Sequence, residues 1–249
     1  DFNITNVIRG DDHTSNTAVQ IELINAMDTN KIVFAHHALL TASSGDKLSK
    51  RDNVISIESF REKNIDPLAI LSLLATIGTS NSIELKSSIS QIIEEFRIKT
   101  ISTSPGKIEI DLLNALNKKI VQKYQFDEIR DRLAKVDKRI DEKFWNTVKG
   151  NLETVEDIQN WTDIVFNSEL IEPKDKEFIK IALDAMPADP WSDETWDEWT
   201  GKVKELTGRK GKELFLPLRE AFTGLSHGPE MKKLIQLLGR EKILERVKL

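Results

Sequence analysis

Two short stretches carry residues whose types and spacing could do chemistry. "SSGDKLSKRDN" (residues 43–53) groups Lys47, Lys50 and Arg51 around Leu48 and Ser49, directly after a Ser-Ser-Gly turn. Ammonium groups on a pliable loop can follow moving phosphate oxygens as point charges. The stretch therefore reads either as a loop that closes over a polyphosphate or as a plain solvated turn. "VIRGDDH" (7–13) puts Arg9 at the end of a strand-like run, with Asp11, Asp12 and His13 immediately after it. A planar guanidinium at that place suits a carboxylate held at two points. The acidic pair has a simpler role open to it, as favourable charge at a helix N-terminus.

Charge is also grouped on a larger scale. The net charge is −5, yet residues 151–200 hold three Lys against fourteen Asp and Glu, while 201–249 hold twelve Lys and Arg against six acids. Residues 101–150 are basic as well, with eleven against eight. Arg130, Arg132, Lys135, Lys138 and Arg139 lie in the earlier basic block, and Arg209, Lys210, Lys212 and Arg219 in the later one. A polyanion could dock on these blocks with the acidic one turned away. Each cation taken singly is equally at home on a solvated helix face. His13, His36, His37 and His227 have no metal-ligand companions, and His227, in "SHGPE", is placed to cap locally. Trp145, Trp161, Trp196 and Trp199 are expected in the core rather than as base-stacking platforms.

The elements that must position these groups begin with "NITNVIRG" (3–10), a β-branched run that predicts a strand. "SNTAVQIELINAM" (15–27) follows as a helix capped by Ser15 or Asn16, and "KIVFAHHALL" (31–40) as a second strand. Strand, helix, strand is the rhythm of a parallel α/β sheet, in which Arg9 would face the crevice at the carboxyl edge. Two strands cannot stand alone as such a sheet, and its missing half is expected before Asp1. Past residue 53 the pattern is helical. Asp66 and Pro67 open one helix that Gly78 stops, "GKIEI" (106–110) is extended, Thr154 with Asp157 forms a capping box, Pro173 opens another helix, and Pro217 bends one. Gly239 ends the helix that begins near Pro229, and "PADP" (187–190) is a joint between two small bundles.

Composition bounds the rest. The 249 residues, 39% hydrophobic and 31% charged, suit one large or two modest domains. The longest apolar run, "LAILSLLATI" (68–77), is too short to span a bilayer. Zero Cys excludes disulfides and thiolate metal sites and fits a cytoplasmic protein.

Taken together and in order, "ITNVIRGDDHTSNTAVQIELINAM" and "FAHHALLTASSGDKLSKRD" resemble the second half of the catalytic domain of bacterial glutamyl-tRNA synthetases. "KLSKR" looks like that family's form of the class I signature loop, usually written KMSKS. "IDPLAILSLLATIG", "PWSDETWDEWTGKVKE" and "GKELFLPLREAFTGLSHGPEMKKLIQLLG" extend the likeness, which is loose over 80–180. The family's HIGH-like motif has no match, Ala38 stands where Pro is usual, and Asp52-Asn53 replace a common His-Gly.

The resemblance implies a mainly α architecture: a residual Rossmann-like α/β catalytic segment (1–52), a helical stem-contact domain (53–125), and a two-part helical anticodon-binding region (126–186 and 187–249). It implies activation of glutamate by ATP, with Mg2+ brought by the nucleotide, and transfer to tRNA(Glu). Charging of tRNA(Gln) as well depends on anticodon contacts in the loosely matching region. Lys50, Lys47 and Ser49 take catalytic roles by this likeness. ATP binding falls to those three with Leu48, Arg51, Asp12 and His13, and glutamate binding to Arg9. No zinc site is expected in this portion, nor a membrane, and the protein is expected to be a monomer. Without a HIGH-like motif the chain alone is expected to be inactive. The alternatives are a non-catalytic RNA-binding helical module and a helical protein-interaction scaffold.

Overall fold

The computed structural model describes residues 3–27, 31–42, 55–102, 104–167 and 169–249. They form two compact units, Asp1–Ile120 and Val121–Leu249. Among the described residues no helix is long and apolar enough to cross a membrane.

Unit 1 opens with strand β1 (Asn6–Gly10), a single 3-10 turn over Asp11–His13, helix α1 (Thr14–Ala26) and strand β2 (Val33–His37). β1 and β2 pair in parallel with Arg9 opposite His36, the arrangement expected from a strand–helix–strand crossover. The helix does not start at Ser15 or Asn16. Asp11 accepts from the Thr14 hydroxyl at 2.8 Å, and that bond carries the turn straight into α1. Ile8, Val33, Val19 and Leu23 stay exposed, so this parallel pair has apolar surface on strand and helix alike.

The expected single strand over 31–40 divides after His37. Leu40–Ala42 forms a separate strand, β3, that pairs in parallel with β4 (Gly106–Ile108), across the boundary expected at 52/53. Between them lie α2 (Ile57–Glu62), α3 (Pro67–Thr76) and α4 (Ile89–Glu95). Asp66 caps α3 by accepting from the Leu68 amide at 2.9 Å, with Pro67 at the first helical position. The Asp66 amide donates to the buried Asn117 side chain on α5 (Ile110–Lys123) at 2.7 Å, and the division between the units falls within that helix. Phe60, Ala69, Leu73, Ile108, Leu113 and Leu116 make the core.

Unit 2 continues with α6 (Phe126–Val136), α7 (Glu142–Val148), α8 (Ile158–Phe166), α9 (Lys176–Asp184), α10 (Thr195–Thr207), α11 (Lys212–Thr223) and α12 (Met231–Arg246). One apolar cluster runs from Val121 to Val247, so the halves on either side of 187–190 share a core. The four tryptophans expected inside are there. Trp199 stacks on Phe222 at 5.2 Å, meets Trp196 edge-on at 5.9 Å, and donates to the Ala182 carbonyl at 2.7 Å.

Several expected helix ends move. Asp175, not Pro173, caps α9, accepting from the Phe178 amide at 3.1 Å. Asp157 accepts from the Thr154 amide at 2.7 Å as a capping box requires, but 154–157 remain a turn and α8 starts at Ile158. Pro217 sits inside α11. Gly239 (φ +75°, ψ 164°) kinks α12 instead of ending it, a conformation few other residues adopt.

Arg246, 2% exposed, closes this unit. Its guanidinium donates to the carbonyls of Phe222 and Asn167 at 2.8 Å each, and to that of Ile164 near the end of α8. Arg246→Met would leave three carbonyls without that donor. We expect a loss of about 3 kcal/mol in unfolding free energy, read as a lower urea midpoint. A change within about 0.5 kcal/mol would show that the cap contributes little.

Candidate functional site

At the carboxyl edge of β1 the chain turns sharply. A Cβ on Gly10 would lie 2.5 Å from Asp12 Oδ1 and 2.9 Å from a Leu39 methyl, so a side chain there would require both of those side-chain ends to move. One residue earlier, Arg9 turns onto α1. Its Nη2 donates to Thr17 Oγ1 and to Gln20 Oε1, both at 2.6 Å, and its guanidinium lies 5.3 Å from the Phe34 ring centroid. Thr17, the buried residue of α1, also donates to the His13 carbonyl at 3.1 Å and contacts His36 Nε2 at 2.8 Å. Thr17, Gln20, Phe34 and His36 were not singled out from sequence. The signal available was spacing: His13, Thr17 and Gln20 stand four and three apart, on one face of a helix beside Arg9.

The electrostatics of this cluster are one-sided. Both oxygens on Arg9 Nη2 are neutral, Nε is buried with no hydrogen-bond partner, and no ion pair among the described residues involves Arg9. A half-buried guanidinium without a carboxylate favours an incoming anion. The geometry narrows the two-point contact expected from sequence. A fork needs two adjacent nitrogens, and Nη2 belongs to both forks of the guanidinium; with its two hydrogens engaged, Nη1 is the end left to offer. Asp12 and His13 are exposed beside this edge, and His13 Nδ1 lies 3.5 Å from the Asn16 amide nitrogen. Lys47, Leu48, Ser49, Lys50 and Arg51 lie outside the described residues.

In unit 2 the candidate cations separate into two kinds. The arginines are engaged by the protein itself. Arg132 grips Glu156 through two bonds of 2.7 Å, and Arg130 pairs with Asp127 beside the Phe126 ring. Arg139 bonds Asp137 at 2.6 Å and lies 4.2 Å from the Phe166 centroid. Arg209 bonds Asp175 at 2.6 Å and lies 4.2 Å from the Phe178 centroid. The Arg139 and Arg209 side-chain hydrogen bonds hold the Asp137 and Asp175 carboxyls below the usual range. Arg219 donates to the Pro229 carbonyl at 2.8 Å, and burial lowers its pKa. Lys135, Lys138, Lys210 and Lys212 are exposed, and none of them makes an ion pair or hydrogen bond among the described residues. His227 is exposed and contacts Ser226 at 3.4 Å, while Glu230 occupies the cap position of α12.

Comparison with known proteins places both units. The catalytic domain of class I tRNA synthetases (E and Q) matches residues 1–119, and an anticodon binding domain matches residues 119–249. Glutamate–tRNA ligase 2 of Mesorhizobium japonicum is 42% identical over 252 residues, covering 99% of this chain and 55% of that protein. Glutamate–tRNA ligase 1 of Brucella ovis is 40% identical over 257 residues, with the same shares. The chain thus spans about half the length of the curated relatives it matches. Among solved structures, a glutamate–tRNA synthetase from Elizabethkingia anophelis superposes with a TM-score of 0.78 at 22% identity, over 98% of this chain and 56% of that one. A glutamate tRNA ligase from Elizabethkingia meningosepticum, in complex with its amino acid, gives 0.80 at 21%, with the same shares. Those two share the fold. The matched domains and the relatives aligned along nearly the whole sequence together establish that this chain belongs to the glutamate–tRNA ligase family.

Proposed function

We propose that this chain is the part of a glutamate–tRNA ligase that receives the amino acid at the β1 edge and holds tRNA on unit 2. The observation that carries the reading is Arg9, a half-buried guanidinium balanced by no carboxylate among the described residues. The reaction is attack of a glutamate carboxylate oxygen on the α-phosphate of ATP. It forms glutamyl-adenylate and releases pyrophosphate, and the acyl group then passes to the terminal ribose of tRNA(Glu). Such a step is accelerated by positioning and by positive charge aimed at the phosphates. Lys50 supplies that charge, with Lys47 and Ser49 shaping the loop, Leu48 and Arg51 flanking it, and Asp12 and His13 bordering the nucleotide. Mg2+ enters with ATP as counter-ion to its phosphates.

Residues 53–125 contact the tRNA stem, and 126–186 with 187–249 bind the anticodon arm, of tRNA(Glu) and of tRNA(Gln) where the enzyme charges both. Lys135, Lys138, Lys210 and Lys212 make the phosphate contacts, because their charge is not already taken up within the protein. The enzyme works as a cytoplasmic monomer and has no zinc site in this portion, which holds zero Cys.

Three measurements test the reading. In a complete ligase containing this segment, Arg9→Lys raises the KM for glutamate by about tenfold and leaves that for ATP nearly unchanged; equal effects on both would remove Arg9 from the amino-acid site. The chain by itself gives no glutamate-dependent ATP–pyrophosphate exchange, and measurable exchange would show that it holds a whole active site. Changing Lys135, Lys138, Lys210 and Lys212 together to Glu weakens tRNA retention in gel shifts. It also flattens the log–log salt dependence by a slope of about 3 to 4. Unaltered binding would favour the protein-interaction scaffold.

A further inference from the structure

Among the described residues of unit 1, Thr17 meets three chemistry-bearing groups at once: Arg9, His36 and the His13 carbonyl. A hydroxyl has one proton to give and two lone pairs to offer. The His13 carbonyl, 3.1 Å away, can only accept, so it takes the proton. Arg9 can only donate, so it fills one lone pair at 2.6 Å. His36 alone can play either role, and what remains for it is the second lone pair. Its Nε2, 2.8 Å from Thr17 Oγ1, must therefore carry the hydrogen, leaving Nδ1 unprotonated in the neutral ring.

We propose that Thr17, with Gln20, is a positioning residue for the amino-acid site. It pins Nη2 of Arg9, so that the guanidinium presents Nη1 to the substrate carboxylate, and it fixes His36 as the Nε2–H tautomer. This rests on the reading of Arg9 as the glutamate contact. Gln20 takes the second hydrogen of Nη2 at 2.6 Å, and the Phe34 ring, 5.3 Å from the guanidinium carbon, borders the same group. With both hydrogens of one nitrogen held, the guanidinium cannot turn about its Cζ–Nε bond without breaking a bond. Because both acceptors are neutral, the positive charge is oriented without being cancelled. Thr17 does this at a buried position on α1, braced by its bond to the turn that Asp11–His13 form.

The test compares four variants of a complete ligase containing this segment: Thr17→Val, Thr17→Ser, Gln20→Met and Arg9→Lys. Valine keeps the shape of threonine and removes the hydroxyl. It raises the KM for glutamate by about tenfold, the scale of one hydrogen bond to a charged group, with the ATP KM unchanged. Serine restores the glutamate KM to about twofold of the starting protein, and Gln20→Met raises it in the same direction as valine. Nitrogen NMR of labelled histidine, with His36→Gln to assign the signal, shows Nε2 protonated in the unaltered protein and a mixed tautomer in Thr17→Val.

If Arg9→Lys raises the glutamate KM while Thr17→Val and Gln20→Met do not, the positioning role is wrong and the Arg9 reading survives. If Arg9→Lys also has no effect, both fall. Serine behaving like valine would reduce Thr17 to packing. Should Thr17→Val fail to fold, the His36 tautomer of the unaltered protein and Gln20→Met decide. A ring protonated on Nδ1, or an unchanged glutamate KM in Gln20→Met, overturns the proposal.

Discussion

What this molecule can offer an anion depends on which of its cations its own carboxylates have left uncompensated. A guanidinium paired at two points has already exchanged water for a fixed partner, and a second anion must compete for the same hydrogens. Arg132 and Arg139 are in that state, and Arg209 has a single bond to Asp175 and the Phe178 ring against it. Arg9 is not, since its two bonds go to oxygens that carry no formal charge. The same distinction sets Lys135, Lys138, Lys210 and Lys212 apart from the arginines beside them. Charge counted along the sequence cannot make this separation, because a pair such as Arg132 and Glu156 joins α6 to a turn 24 residues further on.

The fold was legible where local chemistry decides and illegible where pairing does. Asp66 with Pro67 announced α3, and the β-branched run before Gly10 announced β1, since a cap and a strand register in the residues themselves. The division of 31–40 into β2 and β3 had no local mark. It follows from β3 finding β4 some 65 residues later, and a run of apolar residues looks the same whether it serves one sheet or two. Gly239 shows the limit of a stop signal. Its positive φ does break the helix geometry, but buried Ile243 and Arg246 on the far side rebuild a helix, because the core and three carbonyls await them.

At the candidate site, sequence could name the groups suited to meet a ligand better than those that hold them. Arg9 stands out because a cation at a strand end is unusual enough to be noticed. Thr17 and Gln20 are ordinary residues on an ordinary helix, and only the crossover that sets α1 beside β1 gives them a partner. The glycine of the motif is explained from the same geometry. With Asp12 and Leu39 close to Gly10, a glycine there lets both side chains keep their places beside the turn that delivers His13 to Thr17.

The engaged arginines have a role of their own on the proposed RNA-binding surface. Arg130 and Arg139 border Phe126 and Phe166, and their acids Asp127 and Asp137 lie two or three residues away along the chain. Each makes a short local clamp, which fixes the backbone at both ends of α6 without drawing charge from a distant element. Lys135 and Lys138 ride on that fixed backbone with long, mobile side chains. A rigid base with flexible ammonium groups suits a phosphate backbone, since contacts can be made at a set register while counter-ions are released one phosphate at a time. Had the roles been reversed, with lysines in the clamps and arginines free, the clamps would lose the planar fork that lets Arg139 meet two carboxylate oxygens and a ring together. The division of labour follows from the shapes of the two cations.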